Sequence, residues 1–357
     1  MRRVSALVPR AGGGLLVIAV ATSACSLLLN DDDYSGTPDL TPRAEGGVDA
    51  PSLLDGQAPD GDGAADADAD APNDPPDSGK HGRAFVAVGE NGRRAVSTDD
   101  GLTWRLVAES DASASKLNSV TFGLGRFVAV GTVFTPAFRT SVTDDFANWA
   151  WIDTEVSNAG GPEQVVFGAD RFVAVGAYRS STVSTDGNAW FTYQVEFDFN
   201  GLTFGAGKFV GVGSQGNKGA VASSTDGITW TPISIGGSEL MAIAYGNGRF
   251  VAVGNNGRTG TSPDGVSWTF NPEIGTQRFH SIAYVQGLFV TNDGRTSSDG
   301  LLWTAPVFGD GPVIYGGGVF VHFNIPNQSF YRSTNGTSWG QPVQMIPGIA
   351  ALGYGEW

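Results

Sequence analysis

The sequence predicts an all-β fold, a seven-bladed β-propeller whose C-terminal strand closes the first blade. Three observations lead there. An apolar, β-branched run ending on glycine recurs along the chain, as in Arg249-Phe-Val-Ala-Val-Gly254, and each copy leads through a polar loop and a second short strand to a tight turn and a tryptophan. Seven such units keep one register at intervals of about forty residues, the period of propeller blades. The strand missing ahead of the first unit reappears at the other end, in Ile349-Ala-Ala-Leu-Gly-Tyr-Gly-Glu-Trp357, which predicts a ring closed on itself with no open sheet edge along the channel.

In chain order, residues 1–24 read as a signal peptide. Arg2, Arg3 and Arg10 supply the basic start, Leu15 to Ala21 an apolar core too short to span a bilayer, and Ser23-Ala24 a small-residue end. Cys25, the only cysteine of the chain, follows at once. This arrangement resembles the lipobox of bacterial lipoproteins, with Thr22 standing where that family prefers Leu or Val. The resemblance implies a lipidated Cys25, membrane attachment through it and, from Ser26 at the next position, sorting to the outer membrane. Simple secretion is the alternative.

Residues 25–82 form a linker. Between Ser26 and Lys80 lie thirteen Asp and one Glu against Arg43 and Lys80, a net of −12 out of the chain's −15. Almost no aromatic or β-branched side chains accompany them, so the segment cannot bury enough surface to offset the entropy of ordering, and it reads as a self-repelling spacer. Its alternating aspartates from Asp60 to Asp70 lack the spacing of a calcium loop.

Residues 83–357 carry the repeats. The apolar runs begin at Phe85, Phe127, Phe172, Phe209, Phe250, Phe289 and Phe320, and the closing tryptophans are Trp104, Trp149, Trp190, Trp230, Trp268, Trp303 and Trp339. Four residues before each tryptophan stands Asp100, Asp145, Asp186, Asp226, Asp264, Asp299 or Asn335, and six before each a Ser or Thr. In a tight turn such a carboxylate accepts backbone N–H bonds, glycine supplies the positive φ, and tryptophan covers the turn with apolar surface.

The unit [Ser/Thr]-x-Asp-Gly-x-x-Trp resembles the Asp-box, or bacterial neuraminidase repeat, of sialidases and many non-enzymatic propellers. The acid here sits one residue nearer the glycine than in that family, although Ser97-Thr-Asp99-Asp-Gly101-Leu-Thr-Trp104 fits both spacings. A residue present in every blade is expected to hold blades together. The resemblance also raises sialidase-like glycoside hydrolysis as the alternative function, but the Arg-Ile-Pro motif of sialidases does not occur, since Asn324 precedes Ile325-Pro326.

Strand order puts the Asp turns on one face and the loops after each apolar run on the other, the usual ligand face. Candidate ligand residues there are Arg139, Tyr178, Arg179, Lys218, Asn255, Arg258, Arg295 and His322, amides, cations and aromatics suited to a glycan or a peptide. An Arg or Lys following the loop in blade after blade could equally cap it. Glu196 and Asp198, in the alternating stretch Phe191 to Phe199, are the carboxylate pair a glycosidase would need, or a solvated strand face. Three histidines and one cysteine give no zinc spacing and no cofactor is implied; the repeat region lacks a basic stripe, which argues against nucleic acid. The expectation is an exported, lipid-anchored binding or assembly module at the bacterial cell envelope, with a glycan or an envelope protein as ligand.

Overall fold

The structure is a computed structural model that describes residues 82–356, apart from 109–115, 133–137, 144, 146–147, 155–160, 177–178, 217, 273–275 and 308. The signal peptide, Cys25 and the linker lie outside the described residues.

Strands β1 (Arg83–Gly89), β2 (Arg94–Ser97) and β3 (Arg105–Ala108) open the first blade. The second holds β4 (Lys116–Gly123), β5 (Arg126–Thr132), β6 (Phe138–Thr143) and β7 (Ala150–Thr154). The third holds β8 (Gln164–Gly168), β9 (Arg171–Gly176), β10 (Ser180–Ser184) and β11 (Phe191–Gln194). The fourth has β12 (Asp198–Gly205), β13 (Lys208–Gln215), β14 (Lys218–Ser224) and β15 (Thr231–Ser234); the fifth has β16 (Leu240–Gly246), β17 (Arg249–Gly254), β18 (Thr259–Ser262) and β19 (Thr269–Phe270). Three strands each make the sixth, β20 (Ile282–Val285), β21 (Leu288–Thr291) and β22 (Thr296–Ser297), and the seventh, β23 (Val313–Gly316), β24 (Val319–Asn324) and β25 (Ser329–Ser333). The last strand, β26 (Ile349–Glu356), returns to pair with β1 in the order β26-β1-β2-β3.

Neighbouring innermost strands touch all the way round, from β4 through β8, β12, β16, β20 and β23 to β26 and back to β4. The molecule is a closed seven-bladed propeller. Two features depart from four regular strands per blade. In the sixth and seventh blades the outer strand is irregular: Thr304 and Val307 donate to Thr296 and Asp293, and Val343 and Ile346 to Phe330 and Gln328, around Pro306 and Pro342, which have no N–H to give. The stretch Phe191 to Phe199 is not one strand but the whole of β11 and the start of β12, because the chain crosses there from the rim of one blade to the axis of the next.

Each blade repeats one packing device. The aromatic near the end of the innermost strand faces the phenylalanine of the apolar run on the paired strand, from Phe122 with Phe127 to Tyr354 with Phe85, with ring centroids 4.7–4.9 Å apart in all seven. In six blades a glycine follows that aromatic and lies under the ring of the following blade, while the sixth has Val285 there. A Cβ on Gly205 would sit 2.1 Å from Tyr245 Cγ, so only glycine lets the blades stack this closely.

Closure is doubled by side chains. Gln344 of the seventh blade accepts from Trp104 N at 2.9 Å and donates to Trp104 O at 3.0 Å, clamping the first blade's tryptophan backbone. Trp104 also stacks on Phe330 at 4.0 Å.

Candidate functional site

The Asp turns are built alike. In the third blade, Asp186 Oδ1 accepts from Asn188 N and Ala189 N, both at 2.8 Å, while Ser184 Oγ donates to Asp186 and accepts from Gly187 N. Asp226, Asp264, Asp299 and the amide of Asn335 repeat the pattern, and Asp145 takes the N–H of Asn148. Backbone donors hold the carboxyls of Asp186, Asp264 and Asp299 below the usual carboxylate range. Trp190, Trp230, Trp303 and Trp339 return an indole N–H to the turn glycine, Trp268 stacks on Phe270, and Trp149 lies beside the Arg94 guanidinium.

The first blade shifts the register. Asp99, not Asp100, binds Ser97 Oγ and Thr103 N, because this turn holds one extra residue. Asp100 takes that place with φ 60° and pairs with Arg83 at 2.8 Å.

Turn carbonyls also join the blades. Arg126, Arg171, Lys208 and Arg249 each reach the carbonyl of the next blade's turn, at Asp186, Asp226, Asp264 and Asp299, and Arg332 does so at Asp100. The repeating charges of this face are spent on the ring.

The opposite face is made of the loops after the second strand of each blade and the connections between blades, which bond to one another: Glu90 N to Gly348 O, Asn255 N to Glu239 O, Gly257 N to Gln277 O. The sequence-derived candidates separate here. Lys218 is exposed, and Arg179 is half exposed with its Nε 3.5 Å from Asp198. Asn255 starts a 3-10 turn at the surface. Arg295 folds back on Asp293 at 2.9 Å and lies over the Phe279 ring. Tyr178 and the side chain of Arg139 lie outside the described residues.

Two candidates are not presented to a ligand at all. Arg258 is buried over the Phe270 ring, its guanidinium donating to the carbonyls of Ile235, Gly236 and Ser238. It caps a loop whose glycines expose carbonyls that need donors. His322 is fully buried against Tyr331 and Trp339, with Nδ1 3.2 Å from Pro312 O, and burial pushes its pKa down to about 3. Pointing inward in β24, it replaces an apolar side chain.

A cluster the sequence did not single out lies between the sixth and seventh blades. His280 Nε2 is 2.5 Å from Asp310 Oδ1, Asn292 Nδ2 donates to the same oxygen at 2.8 Å, and Asn292 Oδ1 accepts from His280 N. Burial opposes ionisation of Asp310, but the contacts with His280 and Asn292 together outweigh it and hold the carboxyl below its usual range. With half of its side chain open to solvent, Asp310 presents an oriented carboxylate to an incoming hydroxyl or ammonium group. His280 and Asp310 stand just before the innermost strands of consecutive blades, so the repeat alignment itself held the signal.

A groove of about 590 Å³ runs between the outer strands of the third and fourth blades, lined by Tyr193, Gln194, Glu196, Ile228, Trp230 and Pro232 among others. It holds Glu196 but not Asp198, which faces Arg179 instead.

No protein-family model matches the chain, and no curated protein does. Solved structures do. The chain is similar to YCF48 bound to D1 peptide (18% identity, 67% of this chain and 85% of that one, TM-score 0.53). It is similar to virginiamycin B lyase from Staphylococcus aureus with quinupristin (13%, 70% and 94%, TM-score 0.56) and to the WD40 β-propeller domain of Doa1 (12%, 67% and 85%, TM-score 0.51). At these identities the likeness is one of fold, and it places the chain among the β-propellers.

Proposed function

We propose that the protein is an exported, lipid-anchored β-propeller that serves as a binding or assembly module at the bacterial cell envelope, with a glycan or an envelope protein as ligand. Cys25 carries the anchor and the aspartate-rich segment holds the ring away from the outer membrane. The observation that carries the reading is the contrast between the two faces. The turn face repeats the same bonds in blade after blade, while the loop face offers different groups, including the exposed Lys218, Arg179 and Asp310 carboxylate and the half-buried Asn255. That a propeller of similar fold, YCF48, has been seen with a D1 peptide fits such use.

The test is binding of the purified protein to a panel of envelope glycans and cell-wall fragments, with pull-down from envelope extracts alongside. Saturable binding weakened by Asp310→Asn or Lys218→Glu supports the reading. Release of sugar products from a bound glycan would replace it with the glycoside hydrolase alternative. For the anchor, Cys25→Ser should abolish incorporation of a labelled fatty acid and release the protein into the soluble fraction.

A further inference from the structure

The outer rim of a propeller is a set of exposed strand edges, and most of this one is blunted. Outer strands or their continuations carry Pro232, Pro272, Pro306 and Pro342 in the fourth to seventh blades, and Arg105 and Asp153 in the first and second. Prolines and charges at such positions discourage the addition of another strand. The third blade departs from this. Its edge strand β11, Phe191-Thr-Tyr-Gln194, has neither within the strand, and the one charge of its continuation is Glu196.

The ladder shows which groups β11 leaves open. Val195 N donates to Arg179 O at 2.8 Å, and β11 pairs with β10 in register, Ser181 opposite Tyr193 and Val183 opposite Phe191. Antiparallel pairs alternate, so Tyr193 and Phe191 bond inward while the N–H and C=O groups of Thr192 and Gln194 point away from the sheet. The neighbouring blade confirms the parity: Ile235 N bonds Gly219 O, which turns Pro232 outward, at the position equivalent to Thr192. Beside this open edge, Phe191 is 65% exposed, where other blades have Arg105, Ala150, Thr231, Thr269, Thr304 or Gly340. Tyr193 shares its face of the strand, and the groove with Trp230 and Ile228 lies against it.

We infer that β11 is a docking edge for an extended peptide segment of a partner protein, which adds to the third blade as a fifth strand. Outward donors and acceptors two residues apart fit a peptide backbone, and a groove lined by Tyr193, Trp230 and Pro232 fits apolar side chains at alternate positions. Glu196 is the charged member of the groove lining, so the segment carries a lysine or arginine at that end. The inference rests on the reading of the ring as a binding module and gives that module a second surface, distinct from the loop face.

The test uses a synthetic peptide alternating threonine and valine around one phenylalanine and ending in lysine, titrated against the whole protein, with an N-methylated version as control. Binding of the first and not the second is expected, with a loss of roughly tenfold or more in Thr192→Pro. That substitution copies the edge already present at Pro232, and an unchanged melting temperature shows that the ring is intact. Phe191→Arg, copying Arg105, serves as the second variant, and Glu196→Lys should reverse the preference for the lysine end. Equal binding by Thr192→Pro, equal binding of the N-methylated peptide, no binding to the wild type, displacement by oligosaccharides, or a dimer that Thr192→Pro dissolves would each overturn the inference. Thr192→Pro is also run on the envelope glycan panel. Loop-face binding that persists while the peptide arm fails removes the edge alone; the converse removes the loop face alone.

Discussion

Asp299 and Gly205 show at single-residue scale how the ring is held. Asp299 accepts two backbone N–H groups and a serine hydroxyl within its own turn, and the turn carbonyl receives Arg249 from the preceding blade. Asp299→Ala leaves those donors without their acceptor and should lower the melting temperature by a few degrees, roughly 2–4 °C per kcal/mol lost. Gly205→Ala forces a methyl group into the Tyr245 ring and should cost about 1–3 kcal/mol in denaturant unfolding. Acid acts on a buried histidine and on the turn aspartates. His322 has a folded pKa of about 3, below its ordinary value near 6.5, so the unfolded chain binds the extra proton and stability falls as pH drops from about 6.5 towards 3. The slope for that one proton is roughly 1.4 kcal/mol per pH unit, and His322→Phe should flatten the curve above about pH 4, leaving the steeper loss from the turn aspartates below it.

At this scale the sequence was legible where the repeat is strict and opaque where it is not. The turn aspartates and tryptophans can be read from spacing because each needs the same backbone geometry. The first-blade shift from Asp100 to Asp99 cannot, since one inserted residue satisfies both spacings and only the bonds decide. Arg258 and His322 read as loop-face groups because a polar residue beside a loop carries no sign of whether it turns inward.

Among the elements, β26 carries the most consequence. It pairs with β1 along its length, from Glu356 opposite Arg83 to Ala351 opposite Val88, and its tyrosine completes the aromatic pair of the first blade. Removing 349–357 should open the ring and lower the melting temperature well beyond any single substitution; an unchanged curve would contradict closure. Gln344→Ala, which leaves the strand in place and deletes the clamp on Trp104, should show a smaller loss of about 1–3 kcal/mol. The seven innermost strands were legible because both hairpin strands alternate regularly around glycine turns. The outer strands were less so: short, proline-interrupted segments satisfy few ladder bonds, and the crossing at Val195 to Phe197 breaks an alternation that looks continuous in sequence.

The ring of described residues uses its repeated charges internally and keeps its variety on the loop face and at one rim edge. Residues 83–357 carry 16 Lys and Arg against 22 Asp and Glu, a net of −6, and the stretch from Ser26 to Lys80 carries −12. Binding on the loop face is the function proposed for the ring, and calorimetric titration of envelope glycans and envelope-protein fragments into the wild type, Asp310→Asn and Asp299→Ala tests it. One saturable ligand is expected, with an affinity that falls roughly tenfold in Asp310→Asn and is unchanged in Asp299→Ala on the opposite face. Equal loss in both variants, or no ligand across the panel, would contradict it.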